Sequence, residues 1–406
     1  MSHTPAILTR TSHFLAASPA RRRMVVLGAS AFLLCLCGCA FDVVMPLWVT
    51  RELGYSPGEW AHLRAIRMVG VLVGVLLLGA VSDRLGARRS GAVSMVGVAL
   101  ALVAMALLGG RGLALAMSIF GALMSTVFVN LNVLAQQVSE RRQGVANSVY
   151  RSIGAAAGIA APASATALAA CWGGYPTVLL AGAALLVIGA VVLLRFEDGH
   201  SAAGGPPAEL GPLFRGYVLA LRHRPFVWMV NLSLLWANAL IGVGTFVAIR
   251  FTSELGLSDQ EFGQVASLCG GVSLVAVVAS TAFLDRVSLR KLCAAAGSIA
   301  GASSAIMGVS DSPVVTASGL VAFSAANAVL IAPISMWISR ARGPSTQGAA
   351  FSVHKVITAA YVALATALVG IMEPHIGMRA VFLVGGISGT VLGLLFLALA
   401  EPPRVS

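Results

Sequence analysis

Twelve apolar segments recur along this chain, each long enough to cross a bilayer, and a soluble fold of this size has no interior to hide them all. They run roughly over 24–49, 60–82, 90–109, 112–138, 144–170, 176–195, 226–250, 260–284, 291–309, 313–338, 347–370 and 378–400. Only 10% of the 406 residues are charged and 58% are hydrophobic, where a soluble chain carries about a quarter charged residues. The mean hydropathy is +0.90. The expected fold is therefore all-α and membrane-embedded, with lipid as solvent. The 44 glycines suit close packing of helices in that solvent. All six cysteines fall in or beside apolar runs, where they read as small packing residues. Cys35, Cys37 and Cys39 stand at i, i+2 and i+4, so they do not share one helix face, and no metal site is expected.

The first segment admits two readings. RRRMVVLGASAFLLCLCGCAFD (Arg21–Asp42) has the layout of a cleaved lipoprotein signal with Cys39 as the lipidated residue, and equally that of a first membrane span. The rest of the chain decides between them. The longest polar break, 196–225, divides the segments into two sets of six. The expected organisation is an N-terminal tail (1–23), a six-helix bundle (24–195), a central loop (196–225), a second bundle (226–400) and a C-terminal tail (401–406). If both termini are cytoplasmic, 19 of the 27 basic residues lie in cytoplasmic segments. Only Arg51, Arg111, Arg250 and Arg379 then lie opposite. The net charge of +12 thus reports topology. Nucleic-acid binding is excluded, because the arginines are dispersed over short loops instead of forming one basic face.

The two halves repeat each other. Arg51-Glu52-Leu53-Gly54-Tyr55-Ser56 is echoed by Ser253-Glu254-Leu255-Gly256-Leu257-Ser258. At the same offset Asp83-Arg84 meets Asp285-Arg286, and Arg88-Arg89 meets Arg290-Lys291. Further on, Gln143-Gly144 and Ser148-Val149 recur as Gln347-Gly348 and Ser352-Val353. Two parallel six-span repeats are a transporter plan with the substrate site between them. The first span is the partner of the seventh, so it is expected to be retained.

Between spans two and three stands Gly79-Ala-Val-Ser-Asp83-Arg84-Leu-Gly86-Ala-Arg88-Arg89. This resembles the signature loop of the major facilitator superfamily, and with the twelve spans and the repeat the resemblance covers nearly the whole chain. It implies that fold, with two six-helix repeats around a central cavity, and a gating role for Gly79, Asp83, Arg84, Gly86, Arg88 and Arg89. In the second copy Thr281 and Ser288 replace the glycines. Asp42-Val-Val-Met-Pro46 is similar to the first span of drug/proton antiporters. Gly154-x-x-x-Gly158 followed by Pro162 is similar to the exporter motif of span five, with Ile159 where that motif has proline. The arginine those antiporters carry inside span four is missing here. Pro46-Leu47-Trp48, Glu254-Leu255-Gly256-Leu257 and Ser148-Val-Tyr-Arg151 resemble sugar-efflux transporters. The resemblance implies export.

Charges inside spans cost on the order of 2.5–3.5 kcal/mol each on insertion scales, so they mark function. They are Asp42, Arg64, Arg67, Arg151 and Lys355, with His354 beside the last. Asp42 lies about 27 Å along its span at 1.5 Å per residue. Arg64 and Arg67 share a helix face at similar depth, so Asp42 is placed to meet either as a gate that a proton opens. Arg151 and Lys355 are repeat partners on spans five and eleven, expected as a clamp for an anionic or chelating substrate. Tyr150, His354, Asn130, Asn132, Asn238 and Asn327 are the neutral candidates beside them, with Gln136 and Tyr361 further possibilities.

These readings predict a monomeric, proton-driven secondary transporter of the bacterial inner membrane, with no cofactor. Its substrate is a small oxygen-rich metabolite, a siderophore or organic acid. Sugar efflux and multidrug/proton antiport are the alternatives. A non-transporting membrane sensor is the rival from another class, with no appended soluble domain in its favour. An enzyme is not expected, since neither HExxH nor a P-loop occurs.

Overall fold

The computed structural model describes residues 19–78, 85–138, 143–196, 224–283, 287–340 and 347–399. Among these the chain is helical, with no strand. The helices are α1 (Pro19–Leu47), α2 (Pro57–Val73), α3 (Ala87–Leu108), α4 (Gly110–Val138), α5 (Gln143–Cys171) and α6 (Tyr175–Leu193). After the central loop, α7 is broken at Leu240 into Arg224–Ala239 and Ile241–Ile249. Then come α8 (Asp259–Phe283), α9 (Leu289–Val309) and α10 (Pro313–Arg340). The last stretch, Gln347–Leu395, bends at Gly377 and so forms two helices, α11 (347–376) and α12 (378–395). Among the described residues ten helices are long and apolar enough to span a membrane, and one of them, Val356–Ala398, runs from within α11 through α12. The remaining helix, α2, carries Arg64 and Arg67.

Arg21–Asp42 is part of α1, with Leu27, Ala31, Leu34 and Phe41 in the core. Its cysteines pack as small residues: Cys35 Sγ lies 3.2 Å from where a Cβ on Gly154 would stand, and Cys37 Sγ 3.1 Å from that of Gly182. Each half repeats one packing plan. α1 packs on α5 and α6, α2 on α4, and α3 on α6; in the second half α7 packs on α12, α8 on α10, and α9 on α12. The halves meet along α2 with α11 and α5 with α8.

The repeat is most literal where α1 and α7 end. Each passes into a π-turn, Trp48–Glu52 and Arg250–Glu254. The closing bonds correspond one for one. Leu53 N donates to Trp48 O at 3.1 Å and Leu255 N to Arg250 O at 3.0 Å; Tyr55 N donates to Val49 O and Leu257 N to Phe251 O. Gly54 and Gly256 then reverse the chain at φ 74° and 73°, a region that L side chains rarely adopt. A capping box starts the next helix in each half. Ser56 pairs with Glu59, and Ser258 with Glu261. The Ser56 amide and hydroxyl hold the exposed Glu59 carboxyl below its usual range. Single π-turns recur at functional positions in helical proteins; here they mark the end of the bundle opposite the central loop, the far face.

Candidate functional site

Among the described residues the interior charges expected to carry function gather on α1 and α2, with α4 packed beside them, below the far face. Asp42 is about a turn and a half from the end of α1. Its carboxylate accepts a hydrogen bond from Arg67 Nη1 at 2.6 Å, and its side chain is 58% exposed. Arg67 is held from the other side by aromatic rings. Its guanidinium lies 5.0 Å from the Phe41 ring centroid and 5.2 Å from that of Phe120. These two rings are themselves stacked at 4.2 Å. Cation–π contact of this kind is worth ~0.5–2 kcal/mol and fixes the guanidinium for the carboxylate.

Arg64, one turn earlier on α2, faces the other half. Its Nη2 lies 3.1 Å from where a Cβ on Gly244 of α7 would stand. One turn further out, Trp60 Nε1 donates to Thr245 O at 2.9 Å. The trio of Asp42, Arg64 and Arg67 therefore sits on the seam between the halves. Of the two arginines expected to meet Asp42, Arg67 makes the bond.

The other expected site residues are placed differently. Asn130 is buried, and its amide donates to Ser90 Oγ at 3.1 Å, tying α4 to α3. Asn132 and Asn238 each donate to the carbonyl one turn back, Phe128 O and Leu234 O. The Asn238 Oδ1 is buried with no hydrogen-bond partner among the described residues, beside the break in α7. Asn327 is exposed. Tyr361 donates to Asn231 Oδ1 at 3.4 Å, joining α11 to α7. Arg151 and Tyr150 lie on α5, and His354 and Lys355 on α11; these four side chains, and that of Gln136, fall outside the described residues. So do Gly79, Asp83 and Arg84 of the signature loop. Within the rest of that loop, Gly86 turns at φ 80°, Arg88 Nη1 donates to Phe196 O at 2.9 Å and Arg89 is exposed.

Sequence reasoning passed over a second group of charges, at the far face. Arg51 of the first half pairs with Asp259 of the second and donates to Thr252 O at 3.0 Å. The Tyr175 hydroxyl of α6 donates to the same Asp259 carboxylate. Thus α1 and α6 both grip the start of α8 across the seam. The repeat does not copy this clasp, because Ser253 stands where Arg51 would recur and Pro57 where Asp259 would. The second half has its own group. Arg250 is wholly buried and pairs with Glu254. It also donates to Met307 O at 2.9 Å and Ser310 O at 2.8 Å, satisfying carbonyls at the end of α9. Arg379 extends that group to Asp311, and its Nε is 3.7 Å from Glu254. The signal in the sequence was the isolation of Arg51, Arg250 and Arg379 on the basic-poor side.

The clasp makes a prediction. Arg51→Ala is expected to speed labelling of a cysteine placed at Thr245, deep in the seam, by about three- to tenfold with a membrane-impermeant maleimide. A partly exposed ion pair with one charge-assisted hydrogen bond carries about that much. An unchanged labelling rate would show that Arg51 does not hold the far face shut.

The family model described as "Major Facilitator Superfamily" matches residues 27–360 and 244–406. No curated protein matches the chain significantly. Among solved structures, a crystal structure of a point mutant of the nucleoside transporter NupG is similar at TM-score 0.78 and 15% identity. That match covers 93% of this chain and 100% of the other. A second crystal structure of NupG is similar at TM-score 0.77 and 14% identity, over 93% and 98% of the two chains. At these identities the likeness concerns the fold. The family match, the apolar helices and the doubled six-helix plan agree: the chain belongs to the Major Facilitator Superfamily and is a multi-pass membrane transporter of a small molecule.

Proposed function

We propose that the chain is a proton-coupled secondary transporter of the bacterial cytoplasmic membrane, with both termini cytoplasmic. It exports a small oxygen-rich metabolite, anionic or metal-chelating, of the siderophore or organic-acid kind. The observation that carries this reading is the Asp42–Arg67 pair. An acid lies within a span, stays open to its surroundings, and bonds an arginine fixed on two stacked rings. Protonating Asp42 removes the charge that holds the pair, and so links proton entry to movement of α1 against α2. Export is supported by the motifs of spans one and five. An anionic substrate is supported by the excess of cations in the sequence, where the spans hold Arg64, Arg67, Arg151 and Lys355 against one acid, Asp42.

In liposomes with an imposed pH gradient, Asp42→Asn is expected to abolish uphill transport of a responsive acid while equilibrium binding persists. Uphill transport by that variant at the wild-type rate would remove Asp42 from the coupling. The cation pair is tested separately. Arg151→Gln and Lys355→Gln should each lose most of the affinity, and the double variant little more, as for two parts of one clamp. Small additive effects would mean that the two side chains merely reach for the membrane surface. A neutral polar substrate is the second reading, favoured by the orphan Asn238 Oδ1. The nucleoside transporter NupG, which shares the fold, is an example of a carrier for such molecules.

A further inference from the structure

Arg64 is an interior cation that the Asp42 carboxylate reaches only through space. Asp42 is spent on Arg67, and among the described residues Arg64 has neither an ion pair nor a hydrogen bond. The Arg64 Nε is sealed and without a partner. The two Nη groups make no hydrogen bond and are not sealed, and the end of the guanidinium lies beside Gly244 of α7. The Asp42–Arg67 pair belongs to the same half of the molecule as Arg64, and Gly244 belongs to the other. A side chain at 244 would crowd Nη2, and glycine spares the guanidinium that contact. A half-buried cation with no hydrogen-bonded anion is costly, because attraction through space offsets only part of its desolvation. The cost is met when an anion arrives.

We propose that Arg64 is a binding residue for the acid group of the transported molecule, held end-on between the halves by the two Nη groups. A carboxylate or a deprotonated hydroxamate fits best, since its two coplanar oxygens match the fork. The site differs from the Arg151–Lys355 pair, which lies toward the central-loop ends of α5 and α11. It also gives Arg67 a different task, that of keeping Asp42 from occupying the place the substrate takes. Because Gly244 belongs to the second half and Arg64 to the first, an anion bound here touches both moving bodies. The inference rests on the anionic-substrate reading above and is independent of proton coupling.

The test is the thermal stability of purified full-length protein in detergent, with no gradient present. Citrate and inorganic phosphate are compared with glucose and uridine at matched ionic strength. Saturating citrate should raise the wild-type Tm by about 3–5 °C, the size expected for ligand at a hundredfold excess over Kd. A smaller rise with phosphate is expected, and none with glucose or uridine. Arg64→Gln should be at least as stable as wild type without ligand, having lost an unpaired charge, and should not respond to citrate. Arg64→Lys should keep part of the response, because the charge survives and the fork does not. A full citrate response in Arg64→Gln overturns the proposal. So does a wild type indifferent to both anions, or one that responds equally to the neutral compounds. Failure of proton coupling would appear elsewhere, as gradient-driven transport by Asp42→Asn, and would leave these binding results standing.

Discussion

Gly270→Val should bring transport to background while leaving the protein folded and inserted. A Cβ on Gly270 of α8 would stand 2.6 Å from the carbonyl carbon of Gly158 and 2.9 Å from the amide of Ile159, both backbone atoms of α5. Neither helix can yield by changing a rotamer. The contact lies on the seam between the halves, so packing inside each bundle is untouched. The cheapest response is for the halves to stay apart, which forbids the closure that joins α5 to α8. Nearby, Ala163 N donates to Ser267 Oγ at 3.1 Å, and a Cβ on Gly263 would stand 3.0 Å from the Pro162 carbonyl oxygen; the same separation would break these contacts. Gly271 is the internal control. Nothing lies within 4 Å of a Cβ there, so Gly271→Val should transport within about twofold of wild type, a substitution into open space costing little. Substrate flux in liposomes and a monodisperse gel-filtration peak are the two measurements. A normally active Gly270→Val protein would mean that α5 and α8 do not close this tightly during the cycle.

Gly70→Val should instead cost the folded protein itself. Gly70 of α2 faces Ser118 of α4 within one half, and a Cβ would lie 2.8 Å from the Ser118 carbonyl carbon. Gly74 and Gly121 extend the same contact, the latter against the backbone and side chain of Arg67. Small residues four apart let two backbones approach in lipid, where van der Waals packing carries the association. Forcing bulk into such a contact costs ~1–3 kcal/mol, more when backbone must move. The same α2–α4 contact aligns Phe120 under Arg67, so loosening it also dismantles the grip on Asp42. The expected result is loss of the monodisperse peak and a fall in Tm for whatever remains. A stable variant that still pairs Asp42 with Arg67 would show that α2 and α4 have room to part without harm.

The two glycine variants separate forces that the sequence presents identically. Gly70 and Gly270 are both helix-interior glycines in apolar runs, and nothing in their neighbours says that one joins helices of a bundle and the other joins bundles. The capping boxes behaved otherwise. Ser56 with Glu59 and Ser258 with Glu261 are bonded within three residues, so their chemistry is complete before any helix packs.

What the sequence determined by itself was local or one-dimensional. Hydropathy set the spans, because a bilayer demands about twenty apolar residues whatever the neighbours are. The offset between Arg51–Ser56 and Ser253–Ser258 set the repeat, and the structure returns it as paired π-turns and paired glycine reversals. Depth also came from counting: a fixed rise per residue put Asp42 level with Arg64 and Arg67. Rotation about each helix axis was left to the tertiary structure. In lipid nearly every face of a helix is apolar, so no polar stripe announces which side turns inward. That is why counting did not say which arginine takes Asp42, that Asn130 turns to Ser90, or that Arg51 reaches Asp259, 208 positions away. Packing chose those partners, because only the assembled bundle brings α1 to the start of α8 and aims the fork of Arg64 at the bare backbone of Gly244.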